Sequence, residues 1–143
     1  MGTIVIGVDG SPASKQALDW ALAEARLRGS GVRVVQVWSL PIGFYGDAFA
    51  PFALGGETIE VYAKNAQDRL DDVLGAADTH GVEVERSVVQ GPAAETLIEA
   101  AGGAELLVVG SRGHGGFSGL LLGSVSQQCA HHAPCPVVIV RAR

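Results

Sequence analysis

The chain has 143 residues, 48% of them hydrophobic, with a formal net charge of -5 and only ten Lys and Arg, which are scattered rather than clustered. That length fits one ordinary domain over 1–143 with a substantial core, and the acidic balance argues against a nucleic-acid binder, which needs a basic face. No apolar stretch approaches the ~20 residues of a membrane span, and Met1 to Val5 runs straight into a strand pattern without the basic and apolar regions of a signal peptide, so a cytoplasmic protein with no membrane association is expected.

Thr3 to Val8 is short, β-branched and continuously apolar, as a strand covered on both faces reads. Asp9-Gly10-Ser11-Pro12 stops it. Ser11 is a good N-cap and Pro12 suits a first helical position. The first helix is predicted to run to about Arg28, with Ala17, Leu18, Ala21, Leu22 and Ala25 on one face and Gly29 and Gly31 ending it. Val32 to Trp38 is the second strand. Ser39 to Gly56, rich in aromatics, is long for a connection; a lid or interface loop and a disordered insertion fit it equally.

Glu57 to Asp78 reads as the longest helix, with Ile59, Tyr62, Ala66, Leu70, Val73, Leu74 and Ala77 at helical spacing. Val82 to Val89 alternates apolar with charged residues, which suits an edge or near-edge strand with one wet face. Gly91-Pro92 opens a short helix through Ala101, ended by Gly102-Gly103. Glu105 to Val109 is a buried strand, Ser124 to His132 a last helix, and Val137 to Val140 a last strand. Cys129 and Cys135 match no paired zinc-ligand spacing, and adjacent His131 and His132 diverge on a helix; two reduced, partly buried thiols are expected. Five strands alternating with four helices imply a parallel, doubly wound α/β sheet with helices on both faces.

Between the fourth strand and the last helix lies Gly110-Ser-Arg-Gly113-His-Gly115-Gly-Phe-Ser-Gly-Leu-Leu-Leu-Gly123-Ser124-Val125-Ser126. Six glycines fall from Gly110 to Gly123. Glycine lets backbone approach a ligand, the first amides of a helix have no internal partner, and the helix dipole favours negative charge there. A strand, a glycine-rich loop and a helix start together predict a phosphate site. The competing reading is a surface loop whose glycines only turn the chain.

Gly110, two residues, Gly113, nine residues, then Gly123-Ser124 is the G-x2-G-x9-G-[ST] pattern, and the chain is identified by it as resembling the ATP-binding branch of the universal stress protein family. The likeness runs from Ile4-Val-Ile-Gly-Val-Asp9-Gly10-Ser11 to Cys135-Pro-Val-Val-Ile-Val140. It implies a Rossmann-like fold with strand order 3-2-1-4-5, which puts Asp9 and Gly110 on either side of the switch point where open α/β sheets bind ligands. It further implies phosphates held by Gly110, Gly113, Gly115, Gly123, Ser124, Val125 and Ser126 through amides or hydroxyls. Val37 would then meet the adenine through its backbone, with Gly10 and Ser11 near the base or ribose and Asp9 facing the nucleotide. Finally, it implies a homodimer paired through the C-terminal strand, residues 137–141.

Arg112 and His114 lie inside the motif, where each can approach phosphate charge or point to solvent. Trp38 can stack on a base, although a core aromatic is the simpler role. Asp9 either caps the first helix or faces the nucleotide, and both roles are compatible. With the phosphates it can share Mg2+, which commonly takes one carboxylate plus phosphate oxygens. Catalysis is not indicated: there is no Walker A lysine, no second carboxylate beside Asp9 and no placed general base, so weak ATP hydrolysis is the most the site offers.

The expectation is therefore a small ATP-binding regulatory protein of a stress response, its cofactors ATP and Mg2+. Alternatives are a slow ATP hydrolase or autokinase on the same site, a cyclic-AMP binder, and a nucleotide-independent dimeric interaction module. A receiver domain fails, because the third strand ends Val88-Val89-Gln90-Gly91 without an acceptor aspartate.

Overall fold

The computed structural model describes residues 2–39, 50–112 and 122–141. Among them, β1 (Thr3–Val8), α1 (Pro12–Arg28), β2 (Gly31–Trp38), α2 (Ala50–Gly75), β3 (Val84–Gln90), α3 (Ala93–Ala100), β4 (Leu106–Gly110), α4 (Ser124–His132) and β5 (Val137–Val140) follow one another. The strands form one parallel sheet in the order β3-β2-β1-β4-β5.

The unbroken apolar runs of β1 and β4 make sense once the pleat is applied, because alternate side chains serve opposite faces. Ile4, Ile6 and Val8, with Val32, Val34, Leu106 and Val108, pack under α1 and α2 against Ala17, Leu18, Leu22, Leu70 and Val73. Val5, Val35, Leu107 and Val109 face the other way, onto Leu97 of α3, its C-cap Ala101, and Cys129 of α4. Both outer strands are only partly covered. β3 exposes Glu85, Arg86 and Gln90, and β5 is half-buried at all of its four positions. Arg33 of β2 meets Glu85, its register partner on β3, at 3.3 Å.

The helix ends follow the sequence signals. The Ser11 Oγ accepts from the Ser14 amide at 3.2 Å, Pro12 occupies the first turn, and Gly29 takes φ 69 at the C-cap. The second helix corrects the prediction: α2 starts at Ala50 rather than Glu57 and ends at Gly75 rather than Asp78. Pro51 falls in the first turn, where its missing N–H costs nothing. Gly55 and Gly56 sit inside the helix despite a cost of about 1 kcal/mol each relative to alanine. Residues 50–56 of the expected loop are therefore helical, whereas 40–49 lie outside the described residues. On the same helix Ile59, expected on the core face, is 39% exposed.

At the far end of the sheet Arg28 pairs with Glu24 and Glu105, each at 2.7 Å, and Ser30 donates to Glu105 at 2.7 Å. These contacts tie the end of α1 to the start of β4. No helix among the described residues is long and apolar enough to cross a membrane.

Candidate functional site

The chain leaves β1 for β2 and β3 on one side, and β4 and β5 lie on the other, so the carboxyl ends of β1 and β4 diverge at a topological switch point. Asp9 follows β1. Its Oδ1 accepts from the Ser11 amide at 2.8 Å, and its own amide donates to the Ser14 Oγ at 3.3 Å. Ser14 returns a bond to the Ser11 carbonyl at 3.1 Å. Gly10 stands at φ 81, a left-handed conformation open to glycine. Asp9 does cap the β1–α1 turn, with its carboxyl at the mouth of the crevice.

On the other wall β4 ends at Gly110, which lies against the first turn of α1. A Cβ there would come within 2.9 Å of the Ala13 carbonyl carbon and 3.0 Å of the Ser14 nitrogen. Close helix–strand packing therefore accounts for this glycine, where the sequence alone suggested approach to a ligand. Ser111, 3% exposed, donates its amide to the Val140 carbonyl at 2.8 Å. The Ser111 carbonyl accepts from the Gly123 amide at 2.6 Å and from the Ser126 Oγ at 3.0 Å. The Ser126 Oγ also lies 2.9 Å from the Gly123 carbonyl.

These bonds pinch the glycine-rich loop at its neck, so that the loop leaves and rejoins the scaffold at one point. The Ser126 hydroxyl proton is engaged inward, which leaves the backbone amide as that residue's means of meeting a ligand. Gly123 is the N-cap of α4 and has no side chain to cap with, so among the described residues no side chain caps the first-turn amides of Ser124, Val125 and Ser126. Cys129, one turn on, is fully buried in the core beneath, and burial pushes its thiol up to about 11. It stays protonated at neutral pH and anchors α4.

A cleft of about 540 Å3 opens between these walls. Asp9, Ser11, Val37, Gly110, Arg112, Gly123, Ser124, Val125 and Ser126 all line it. Gly10 lines a smaller adjoining cleft of about 360 Å3, which shares Asp9 and Arg69 with the first. Gly113, His114 and Gly115 lie outside the described residues.

Several lining residues escaped the sequence reading. Tyr62, Asn65 and Arg69 project from α2 at i, i+3 and i+7, one helical stripe, and Gln36 comes from β2. The signal was present: polar residues at 65 and 69 interleave with the apolar stripe at Ala66, Leu70 and Val73. Trp38 corrects the core-aromatic expectation, since it is half-buried on the cleft wall and belongs to neither hydrophobic cluster.

A parallel doubly wound sheet with a cleft at its switch point, and an uncapped helix start facing that cleft, defines a ligand-binding α/β domain suited to anions. The universal stress protein family model matches residues 1–141, and the chain belongs to that family. Among curated relatives, a universal stress protein of Mycolicibacterium smegmatis is 38% identical over 142 residues, covering 98% of this chain and 46% of the relative. Another, from Mycobacterium tuberculosis, is 36% identical over 146 residues, covering 96% of this chain and 43% of the relative. The chain thus spans about half the length of the curated relatives it matches.

Among solved structures, the universal stress protein UspA of Lactobacillus plantarum superposes with a TM-score of 0.80 at 20% identity, covering 98% of this chain and 97% of that one, a likeness of fold. A universal stress protein described in complex with cAMP is 28% identical, with a TM-score of 0.63, and the match covers 99% of this chain and 98% of that one.

Proposed function

We propose that this chain is an ATP-binding universal stress protein of the G-x2-G-x9-G-[ST] branch, a cytoplasmic regulator whose nucleotide state is read by other proteins. The observation that carries the reading is convergence: the end of β1, the end of β4 and the uncapped start of α4 share one cleft that also holds Val37. In this reading Gly110, Arg112, Gly113, Gly115, Gly123, Ser124, Val125 and Ser126 surround the phosphates. Val37 meets the adenine through its backbone, and Asp9, Gly10 and Ser11 flank the ribose.

The residues fit a nucleotide phosphate. At Gly123 a Cβ would stand in ordinary contact with the Arg112 Cα at 3.4 Å, at the place where the loop and the helix start meet. For Mg2+ the donor set is one carboxylate, Asp9, whose Oδ1 already holds the Ser11 amide. Phosphate oxygens and water would supply the remaining ligands. No group of three or more metal-ligating side chains occurs among the described residues, which leaves Asp9 as the protein's contribution.

Cyclic AMP is the second reading, favoured by the 28% identical relative described in complex with it. A backbone cradle recognises phosphate rather than phosphate number, so one cleft serves both. The half-buried β5 at the sheet edge supports pairing with a second copy through residues 137–141, since an unpaired apolar edge invites association. Replacing Gly113 and Gly123 together by alanine tests the cradle. The folded double variant is expected to lose nucleotide binding, and retained affinity would contradict the assignment.

A further inference from the structure

Gln36 sits near the carboxyl end of β2, 1% exposed, in register with Val8 on β1 and Val88 on β3. Both in-sheet neighbours are apolar, so neither satisfies its carboxamide. The Nε2 reaches the Val37 carbonyl at 3.5 Å, a long contact, and the Oε1 has no hydrogen-bond partner among the described residues. A buried acceptor left unpaired is costly, and leucine or methionine would fill the same space without that cost. Gln36 nevertheless lines the large cleft, as do Val37 and, from α2, Tyr62 and Asn65. A polar residue that breaks the packing rule at a cleft wall marks a place where function outweighs stability.

We propose that Gln36 reads the base beside the Val37 backbone, its Oε1 accepting a hydrogen bond from the exocyclic amine of a 6-aminopurine and rejecting 6-oxopurines. The inference rests on the nucleotide reading above and adds its base specificity. The Val37 contact sets the polarity: with Nε2 toward that carbonyl, Oε1 is the atom left for a ligand. Flipping the amide would set two acceptor oxygens against each other. An amine donor satisfies Oε1, whereas a 6-oxo group presents only lone pairs. Because Gln36 is nearly inaccessible, the base reaches it by moving a side chain aside. Tyr62, half-buried, and Asn65, exposed, line the same cleft.

The experiment is calorimetric titration of the wild-type chain and Gln36→Leu with three pairs: ATP and ITP, AMP and IMP, cyclic AMP and cyclic IMP. Gln36→Met, unbranched and also without an acceptor, serves if the leucine variant misfolds. The wild type is expected to prefer the adenine member of each bound pair by about tenfold, the scale of one hydrogen bond plus the cost of an unpaired acceptor. In the variant this ratio is expected to fall toward one while folding is unimpaired.

An unchanged ratio in a folded variant, or no preference in the wild type, would overturn the role of Gln36 and leave the nucleotide site standing. So would a further titration with 2′-deoxyATP in which the variant, unlike the wild type, fails to tell it from ATP while still telling ATP from ITP, since that places Gln36 on the ribose. Failure of the wild type to bind any adenine nucleotide would instead remove the site itself and the inference with it.

Discussion

Two glycines of the same motif carry different duties, and alanine at each separates them. At Gly110 the added methyl would stand 2.9 Å from both the Ala13 carbonyl carbon and its Cβ, and 3.0 Å from the Ser14 nitrogen. Two of these three atoms are backbone and cannot rotate away, so the first turn of α1 must retreat, carrying Ser11 and Ser14 with it. Overpacking of that kind costs about 1–3 kcal/mol. At roughly 4 °C per kcal/mol for a domain of this size, the expected fall in Tm is about 4–12 °C.

At Gly123 the nearest atoms are the Arg112 Cα at 3.4 Å and the Ser111 oxygen at 3.5 Å, ordinary contact distances, and φ is -76, which any residue adopts. Losing a glycine N-cap to alanine should change stability by no more than about 1 kcal/mol. Thermal melts without nucleotide, followed by titration, give the comparison: Gly110→Ala unstable, Gly123→Ala stable but weakened in binding. A Gly110→Ala protein melting with the wild type would refute the packing argument, and a strongly destabilised Gly123→Ala would refute the division of roles.

Ser126→Ala removes the hydroxyl that ties α4 to the Ser111 carbonyl. It is expected to cost about 1 kcal/mol by urea denaturation, and unchanged stability would show that the loop neck holds without it. The Arg28 guanidinium, with Ser30, holds the Glu105 carboxyl below its ordinary pKa. A depressed acid contributes stability that is present above the unfolded value of about 4.3 and is lost as pH falls through the folded one. Wild type and Glu105→Gln should therefore differ in Tm at pH 7 and converge toward pH 3; a difference independent of pH would rule out the ion pair as its source. Sedimentation of the wild type is expected to show a dimer, and a monomeric wild type would remove the edge-pairing proposal.

Element order and the two ends of α1 were legible because each rests on local chemistry. Ser11-Pro12 and Gly29 act within one turn, and the alternation of Glu83, Glu85 and Arg86 with valines marked β3 as wet on one face before its edge position was known. Strand order was not legible from periodicity, since a parallel run reads the same at any place in a sheet; it came from resemblance. The start of α2 was hidden by Pro51 and the Gly55-Gly56 pair, which locally favour a turn and are overridden by the helix that continues from them. The site was half legible. The two strand ends and the helix start follow from motif spacing, whereas Tyr62, Asn65 and Arg69 reach the cleft only because α2 folds over β2. Gly110 was found for an incomplete reason, as the atoms it makes room for belong to Ala13 and Ser14 of α1, distant in sequence.

The central claim is that the cleft between β1 and β4 holds an adenine nucleotide. The direct test is the nucleotide content of protein purified without added ligand, followed by calorimetric titration with ATP, ADP and cyclic AMP, with and without Mg2+. An adenine nucleotide carried through purification is expected, or saturable binding of one nucleotide per chain that fails in the Gly113→Ala, Gly123→Ala double variant. A folded chain that binds none of the three would contradict it and favour the nucleotide-independent interaction module.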